Sequence, residues 1–273
     1  LAAQGRIKLS VVDVDKNGHV KLDHLKELLA ANERSFVSLM HANNELGNLL
    51  PIKEVGEICK EYDAIFHSDT VQTIAHYNLD VKDIHAHFIT CAGHKFHGPK
   101  GSGFLYVNNE VKIKPIIRGG SQERSMRAGT ENVYGIMGLA KALDLAYDNL
   151  EEHSSYILGL KNYMIQRLED LFPNVRFNGD AKGESLYTVL NVCLPESDKK
   201  EMLLFNLDIE GVSVSGGSAC NSGSNLGSHV LTAIGSDPNR PAVRFSFSKN
   251  NTKDEIDYTI AKLKAIYELP VLV

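Results

Sequence analysis

Thr90-Cys91-Ala92-Gly93-His94-Lys95-Phe96-His97-Gly98-Pro99-Lys100-Gly101 decides how this chain is read. The short apolar run before it, Ala86 to Thr90, predicts a buried strand, and Gly103 to Val107 after it predicts another. Between them lie three glycines, one proline and two lysines, so the backbone turns sharply and passes close to a neighbour. A lysine at the end of a buried strand, in a turn poor in water, is a candidate amine nucleophile. A solvated loop lysine is the competing reading, and the rest of the chain has to decide between them.

Working outward, Ile7 to Val14 alternates and is β-branched, which predicts a strand, and Leu22 to Ala30 has helical spacing. Asp13-Val14-Asp15-Lys16-Asn17-Gly18 imitates the opening of a calcium loop. Position 12 of that loop is His24 rather than a bidentate glutamate, so calcium is set aside. Phe36 to Met40 predicts a buried strand followed by the polar loop His41-Ala42-Asn43-Asn44-Glu45-Leu46-Gly47. Pro51 opens a helix carrying Ile52, Val55, Ile58 and Cys59. Ala64 to His67 is the next strand and ends in Ser68-Asp69-Thr70-Val71-Gln72. Val81 to Ile84 is a short helical turn. Gly103 to Val107 and Lys112 to Ile117 suggest a hairpin. Strand, loop and helix alternate, which predicts an α/β fold with a mostly parallel sheet flanked by helices. In such sheets ligands bind beyond the carboxyl ends of the strands. Three strand ends carry Asn43-Asn44, Asp69 with Gln72, and His94-Lys95.

Arg118-Gly119-Gly120-Ser121-Gln122-Glu123-Arg124 and Arg127-Ala128-Gly129-Thr130 combine glycines with three arginines, a set suited to an anion. Thr130 is placed to cap a helix running through Ala146, and a second helix spans about 154 to 171. The pattern then changes to Asn174–Asn178, Leu186–Leu194, a helix over Lys199–Leu207, Val212–Ser215, a helix over Ser228–Ile234, Ala242–Phe247 and a last helix over Thr252–Tyr267. This predicts a large α/β domain over residues 1–147 and a smaller α+β domain over 148–273.

Of 273 residues, 43% are hydrophobic and 23% charged, and the net charge of -5 comes without a basic run. Neither nucleic acid nor a membrane is implied as a partner. Cys59, Cys91, Cys193 and Cys220 lie far apart, without metal-finger or disulfide-framework spacing, and a reducing cytoplasm is the default setting. The first three sit in apolar runs and read as core. Cys220 lies in Ser213-Val214-Ser215-Gly216-Gly217-Ser218-Ala219-Cys220-Asn221-Ser222-Gly223-Ser224, small and polar, which reads as a loop. The glycine order is not that of a P-loop, and His94 and His97 have no carboxylate beside them to suggest a metal site. His85 and His87 read as surface or packing residues. A carboxylate, an amide, a histidine and a lysine near a phosphate-binding loop form the set that pyridoxal 5'-phosphate requires.

The blocks His41–Gly47, His67–Gln72, Ala92–Gly101, Gln122–Asn132, Ser215–Cys220 and Ala242–Phe247 resemble, in order, those of the cysteine desulfurases of the NifS/IscS group, class V aminotransferases of fold type I. The resemblance covers essentially the whole chain. It implies a pyridoxal 5'-phosphate enzyme that converts L-cysteine to L-alanine and leaves a persulfide. Lys95 would carry the cofactor as a Schiff base, Asp69 pair with the pyridinium nitrogen, and Gln72 contact the phenolate oxygen. Asn44 would contact cofactor and substrate, and His94 line the phosphate side. Thr130 would reach the cofactor of the neighbouring subunit, which implies a homodimer. Arg244 would bind the substrate carboxylate, and Cys220 would be the nucleophile. The partner would be an iron–sulfur scaffold or another sulfur acceptor. Ala92 stands where the family often has a phosphate-binding serine, and Thr90 is the candidate replacement. The family's N-terminal part, with its phosphate turn and ring-stacking histidine, has no counterpart in the chain. A selenocysteine or sulfinate lyase and a catalytically incomplete binding scaffold remain alternative readings.

Overall fold

The computed structural model describes residues 1–216 and 228–268. The chain divides into two units. One comprises Lys26–His41 and Leu50–Leu150; the other comprises Leu1–Leu25, Ala42–Leu49 and Glu151–Val273.

In the first unit, β1 (Phe36–Met40), β2 (Ile65–Asp69) and β3 (Phe88–Ala92) run parallel, and β4 (Gly103–Val107) joins antiparallel to β3. A helix fills each parallel crossover, α2 (Ile52–Glu61) and then α3 (Val81–Ile84), as parallel pairing demands. (Helix α1, Leu22–Ala30, precedes them.) Helix α2 buries Ile52, Val55, Ile58 and Cys59 at helical spacing. One face of the sheet is closed by Val37, Phe66, Ile89 and Cys91. The opposite face presents Phe36, Met40, Ile65 and Leu105 as exposed side chains. Helix α4 (Val133–Asp148) supplies Leu139 to a small core with Ile74, Ala75, Cys91 and Phe96.

The second unit has an antiparallel sheet in the order β5 (Arg176–Phe177), β6 (Val189–Cys193), β7 (Ala242–Ser246). Every residue of the central strand β6 is buried. Helix α5 (Leu150–Leu171) buries Ile157, Leu160, Met164 and Leu168. Helix α8 (Lys253–Ile266) buries Ile256, Ile260 and Leu263. The two are joined by the Tyr163 hydroxyl, which donates to Asp257 Oδ1 at 2.8 Å. Helices α6 (Leu203–Ile209) and α7 (His229–Ala233) complete the unit. Thr252 caps α8 in a reciprocal arrangement with Glu255.

Several sequence expectations change. The alternating run Ile7 to Val14 forms no ladder beyond a single bridge between Val14 and Val20, and Ile7, Leu9 and Val11 are exposed. Alternation describes side chains; it does not supply a partner strand. Lys112 to Ile117 is not a strand, because Pro115 removes a ladder donor. β4 instead pairs across the lysine turn with β3. Helix α4 is capped by Asn132 rather than Thr130, with Asn132 Oδ1 accepting from the Gly135 amide at 3.1 Å. Val212 to Ser215 contributes one bridge, Ser215 to Arg244, and not a strand. Leu1–Leu25 and Ala42–Leu49 belong to the same compact unit as Glu151–Val273. Within it, Asn48 Nδ2 donates to the Asn17 carbonyl at 2.7 Å, and its Oδ1 accepts from the Asp180 amide at 2.9 Å.

Candidate functional site

The carboxyl ends of β1, β2 and β3 form one edge of the first unit. Register places Met40 beside Asp69 and Asp69 beside Thr90. Because side chains alternate along a strand, His67, Asp69 and Thr90 share one face. Asp69 accepts from the Val71 amide at 2.9 Å, which turns the chain sharply after β2. The Thr90 hydroxyl meets His67 Nε2 at 3.0 Å, and His67 Nδ1 meets the Ser38 hydroxyl at 2.8 Å. Burial lowers the His67 pKa, against the opposing pull of the Asp69 carboxylate. Gln72 is half-buried in the turn that follows. The Thr70 hydroxyl holds that turn by donating to the Thr90 carbonyl at 2.8 Å. Beside it His41 is buried, with Nδ1 2.9 Å from the Thr73 hydroxyl, and burial lowers its pKa to about 4.

After β3 the chain enters a 3-10 turn, Gly93–Phe96. Phe96 points into the core and fixes the turn, so His94 and Lys95 point outward and are exposed. The water-poor setting expected for Lys95 is therefore not what the described residues provide. Glycine is needed at Gly103, where a Cβ would come within 2.2 Å of the Cys91 carbonyl oxygen; at Gly93 a Cβ would press on the end of the Leu139 side chain at 2.9 Å.

The arginine-rich segment folds largely on itself. Arg127 Nη1 donates to the Gly129 carbonyl at 3.0 Å, Arg127 Nη2 pairs with Glu123 at 3.3 Å, and Gln122 accepts from the Gly129 amide at 3.2 Å. Arg127 thus shapes the loop, while Arg118, Arg124 and Thr130 are exposed. Exposed apolar side chains flank it, including Ile116 at 96% and Tyr134 at 91%.

In the second unit, Asn44 and Arg244 meet. Arg244 Nη1 donates to the Asn44 carbonyl at 2.9 Å. The Arg244 backbone also exchanges two hydrogen bonds with Ser215, at 2.6 and 3.3 Å. Asn43 Oδ1 accepts from the amides of Glu45 and Leu46, both at 2.9 Å, and Glu45 Oε2 accepts from Ser228 at 2.5 Å. Glu45 is only 2% exposed. Lys161, in the same unit, is buried. Its Nζ donates to Ser185 Oγ at 2.8 Å and to the Leu186 carbonyl at 3.2 Å, and burial lowers its pKa to about 8. Leu186 in turn donates its amide to Gly47 at 2.7 Å.

Cys59, Cys91 and Cys193 are buried free thiols. Burial pushes Cys59 up to about 12 and Cys91 to about 11, and raises Cys193 as well. Cys220 lies outside the described residues. Among the described residues there is no group of three metal-ligating side chains, and no helix is long and apolar enough to cross a membrane.

The reading by residue type passed over His67, Ser38, Glu45 and Asn191. His67 carried a signal: it lies two positions from Asp69 on one strand and hence on the same face. Asn191 carried another, a lone amide between Leu190 and Val192. The donor set of the first unit fits pyridoxal 5'-phosphate, with a carboxylate and a hydroxyl paired across strands and an amine in the next turn.

A family model, aminotransferase class-V, matches residues 1–259. A cysteine desulfurase IscS of Clostridium botulinum is 42% identical over 263 residues, covering 95% of this chain and 66% of that protein. A putative cysteine desulfurase IscS 1 of Bacillus subtilis is 43% identical over 251 residues, covering 91% and 65%. The chain thus spans just under two thirds of these relatives' length. Among solved structures, a NifS-like protein of Rickettsia africae aligns with a TM-score of 0.86 at 35% identity, over 95% of this chain and 69% of that one.

Proposed function

This chain belongs to the aminotransferase class-V family, and from that premise we propose that it works with pyridoxal 5'-phosphate as a cysteine desulfurase. L-Cysteine gives L-alanine, and its sulfur becomes a persulfide on Cys220. The carbon–sulfur bond of the substrate breaks as a sulfur–sulfur bond forms, and the proton given up by the Cys220 thiol balances the hydrogen gained by the alanine methyl group.

One observation carries the reading: Asp69 and Thr90 are register partners at the sheet edge that leads directly into the Lys95 turn. Lys95 would hold the cofactor covalently and Asp69 would keep its ring nitrogen protonated. Gln72 would contact the phenolate oxygen, and Thr90 and His94 would serve the phosphate. Bound there, pyridoxal 5'-phosphate supplies an electron sink for bonds at the substrate α-carbon. Arg244 takes the substrate carboxylate, a task suited to a planar guanidinium fork. Asn44, whose carbonyl Arg244 already holds, lies alongside. The thiolate is the nucleophile in such attack, and the buried thiols of Cys59, Cys91 and Cys193, all raised in pKa, are poorly suited to that role.

The reading includes a homodimer in which Thr130 of one copy reaches the cofactor phosphate of the other. The exposed Thr130 beside the exposed Ile116, Ile117, Tyr134 and Met137 supports it. It also includes transfer of the sulfur to an acceptor such as an iron–sulfur scaffold. Three buried free thiols support a reducing, cytoplasmic setting. The test is direct. The full-length protein, purified with its cofactor, should release L-alanine from L-cysteine. A Cys220→Ser variant should keep the cofactor absorbance and form no persulfide. Bound cofactor with no alanine formed overturns the reading.

A further inference from the structure

Strand β6 carries one polar residue in an apolar run: Asn191 lies between Leu190 and Val192 and is 1% exposed. A buried amide is costly unless its donors and acceptor are answered. Asn191 Oδ1 accepts from Asn178 Nδ2 at 2.9 Å, and the Asn178 amide donates to the Asn191 carbonyl at 3.0 Å. Asn178 Oδ1 accepts in turn from Ser236 Oγ at 3.1 Å. On its other side, Asn191 Nδ2 donates to the Glu45 carbonyl at 3.2 Å, across a sequence separation of 146 residues.

The register gives this bond its meaning. Asn191 and Arg244 are direct partners in the β6–β7 ladder, so their side chains leave the same face of the sheet. Arg244 donates to the Asn44 carbonyl, and Asn191 donates to the next carbonyl, that of Glu45. Two side chains standing side by side thus grip two consecutive peptide units of one turn. Asn43 Oδ1 closes the same turn from within. Asn191 fixes the turn, and the turn fixes one nitrogen of the guanidinium.

We propose that Asn191 is a positioning residue for substrate recognition: it sets the Asn44–Glu45 turn against which the Arg244 guanidinium is held for an α-carboxylate. The inference rests on the reading of Arg244 as the carboxylate-binding residue. A side chain acting this way changes discrimination between substrates with and without a carboxylate. A merely structural amide does not.

The experiment uses the full-length, cofactor-loaded protein with Cys220→Ser as background, so that no sulfur is transferred. Binding of L-cysteine and of cysteamine, which lacks the carboxylate, is followed by the change in cofactor absorbance. Arg244→Lys should lower the preference for L-cysteine about a hundredfold, as loss of a two-pronged contact to a carboxylate implies. Asn191→Asp keeps the acceptor facing Asn178 but loses the donor to Glu45. It should lower the preference about tenfold with cysteamine binding unchanged. Asn191→Ser, which withdraws the donor without adding charge, should do the same. Asn178→Ala, which removes only the far side of the network, should leave the preference intact. An unaltered preference in both Asn191 variants, with Arg244→Lys impaired, overturns the inference alone. An equal loss in Asn178→Ala also overturns it, since any disturbance of β6 would then suffice. An unaltered preference in Arg244→Lys overturns the reading of Arg244 and the inference with it.

Discussion

Two polar turns, Asn43-Asn44-Glu45 and Gly93-His94-Lys95, read alike in the sequence, yet the fold treats them in opposite ways. The first is held by side chains. Asn43 closes it, Arg244 and Asn191 grip its carbonyls, and the Glu45 carboxylate is buried against Ser228. The second is held mainly by packing and backbone: Phe96 is in the core, Gly93 and Gly103 permit close approach, the His76 ring reaches the Lys95 carbonyl only at 3.4 Å, and His94 and Lys95 are exposed. The difference matches the two tasks proposed. A carboxylate is recognised by groups whose geometry is set by folding, because each group ordered in advance reduces the entropy cost of binding. A lysine that forms a covalent bond needs a fixed backbone and a side chain with room to move.

Four changes would break or sharpen this contrast. The largest effect is expected on activity. Lys95→Ala should reduce alanine formation by at least about a thousandfold, as loss of a covalent group does. With the cofactor stripped from variant and parent alike, its unfolding free energy should differ by no more than about 0.5 kcal/mol, because the side chain is exposed. Turnover assays of the loaded proteins and denaturant unfolding of the cofactor-free ones check both halves. Gly103→Val acts on the backbone that holds the turn. With a Cβ placed 2.2 Å from the Cys91 carbonyl oxygen, β3 and β4 must separate locally, and urea unfolding should show a loss of about 3 kcal/mol.

His41 tests the sheet edge through pH. Its folded pKa is lowered from 6.5 to about 4 by burial. Above pH 6.5 the ring is neutral in both states. As pH falls from 6.5 toward 4, the unfolded chain gains a proton that the folded one does not, so stability declines over that window by up to about 3 kcal/mol. His41→Asn should flatten this slope in unfolding midpoints measured at successive pH values; an unchanged slope would show that another group is responsible. Asn43→Ala, the mildest, leaves the amides of Glu45 and Leu46 without their acceptor and should cost about 2 kcal/mol. Unlike Lys95→Ala, it should lower stability and L-cysteine affinity together.

Much of the α/β unit was legible. Phe36–Met40, Val81–Ile84 and Gly103–Val107 begin and end where their composition predicts, because each is bounded by turn residues and packs locally. Residues 7–14 and 112–117 misled, since a strand exists only if it is paired. Pairing depends on residues far away, and in the second case on Pro115. Thr130 was passed over as a cap because Asn132, two positions later, accepts from the helix instead. Asp69, Thr90 and Lys95 could be placed on one edge from strand order alone. The grip of Asn191 on Glu45 could not, because contacts across 146 residues leave no periodic trace. The same holds for the attachment of Leu1–Leu25 through Asn17 and Asn48.

The claim that the outward-facing turn anchors the cofactor is tested most directly by fixing it there. Borohydride reduction of the full-length, cofactor-loaded protein, followed by digestion and sequencing of the labelled peptide, should place pyridoxal phosphate on Lys95. Label on Lys100, on the buried Lys161 or on any other lysine, or no label at all, would contradict it.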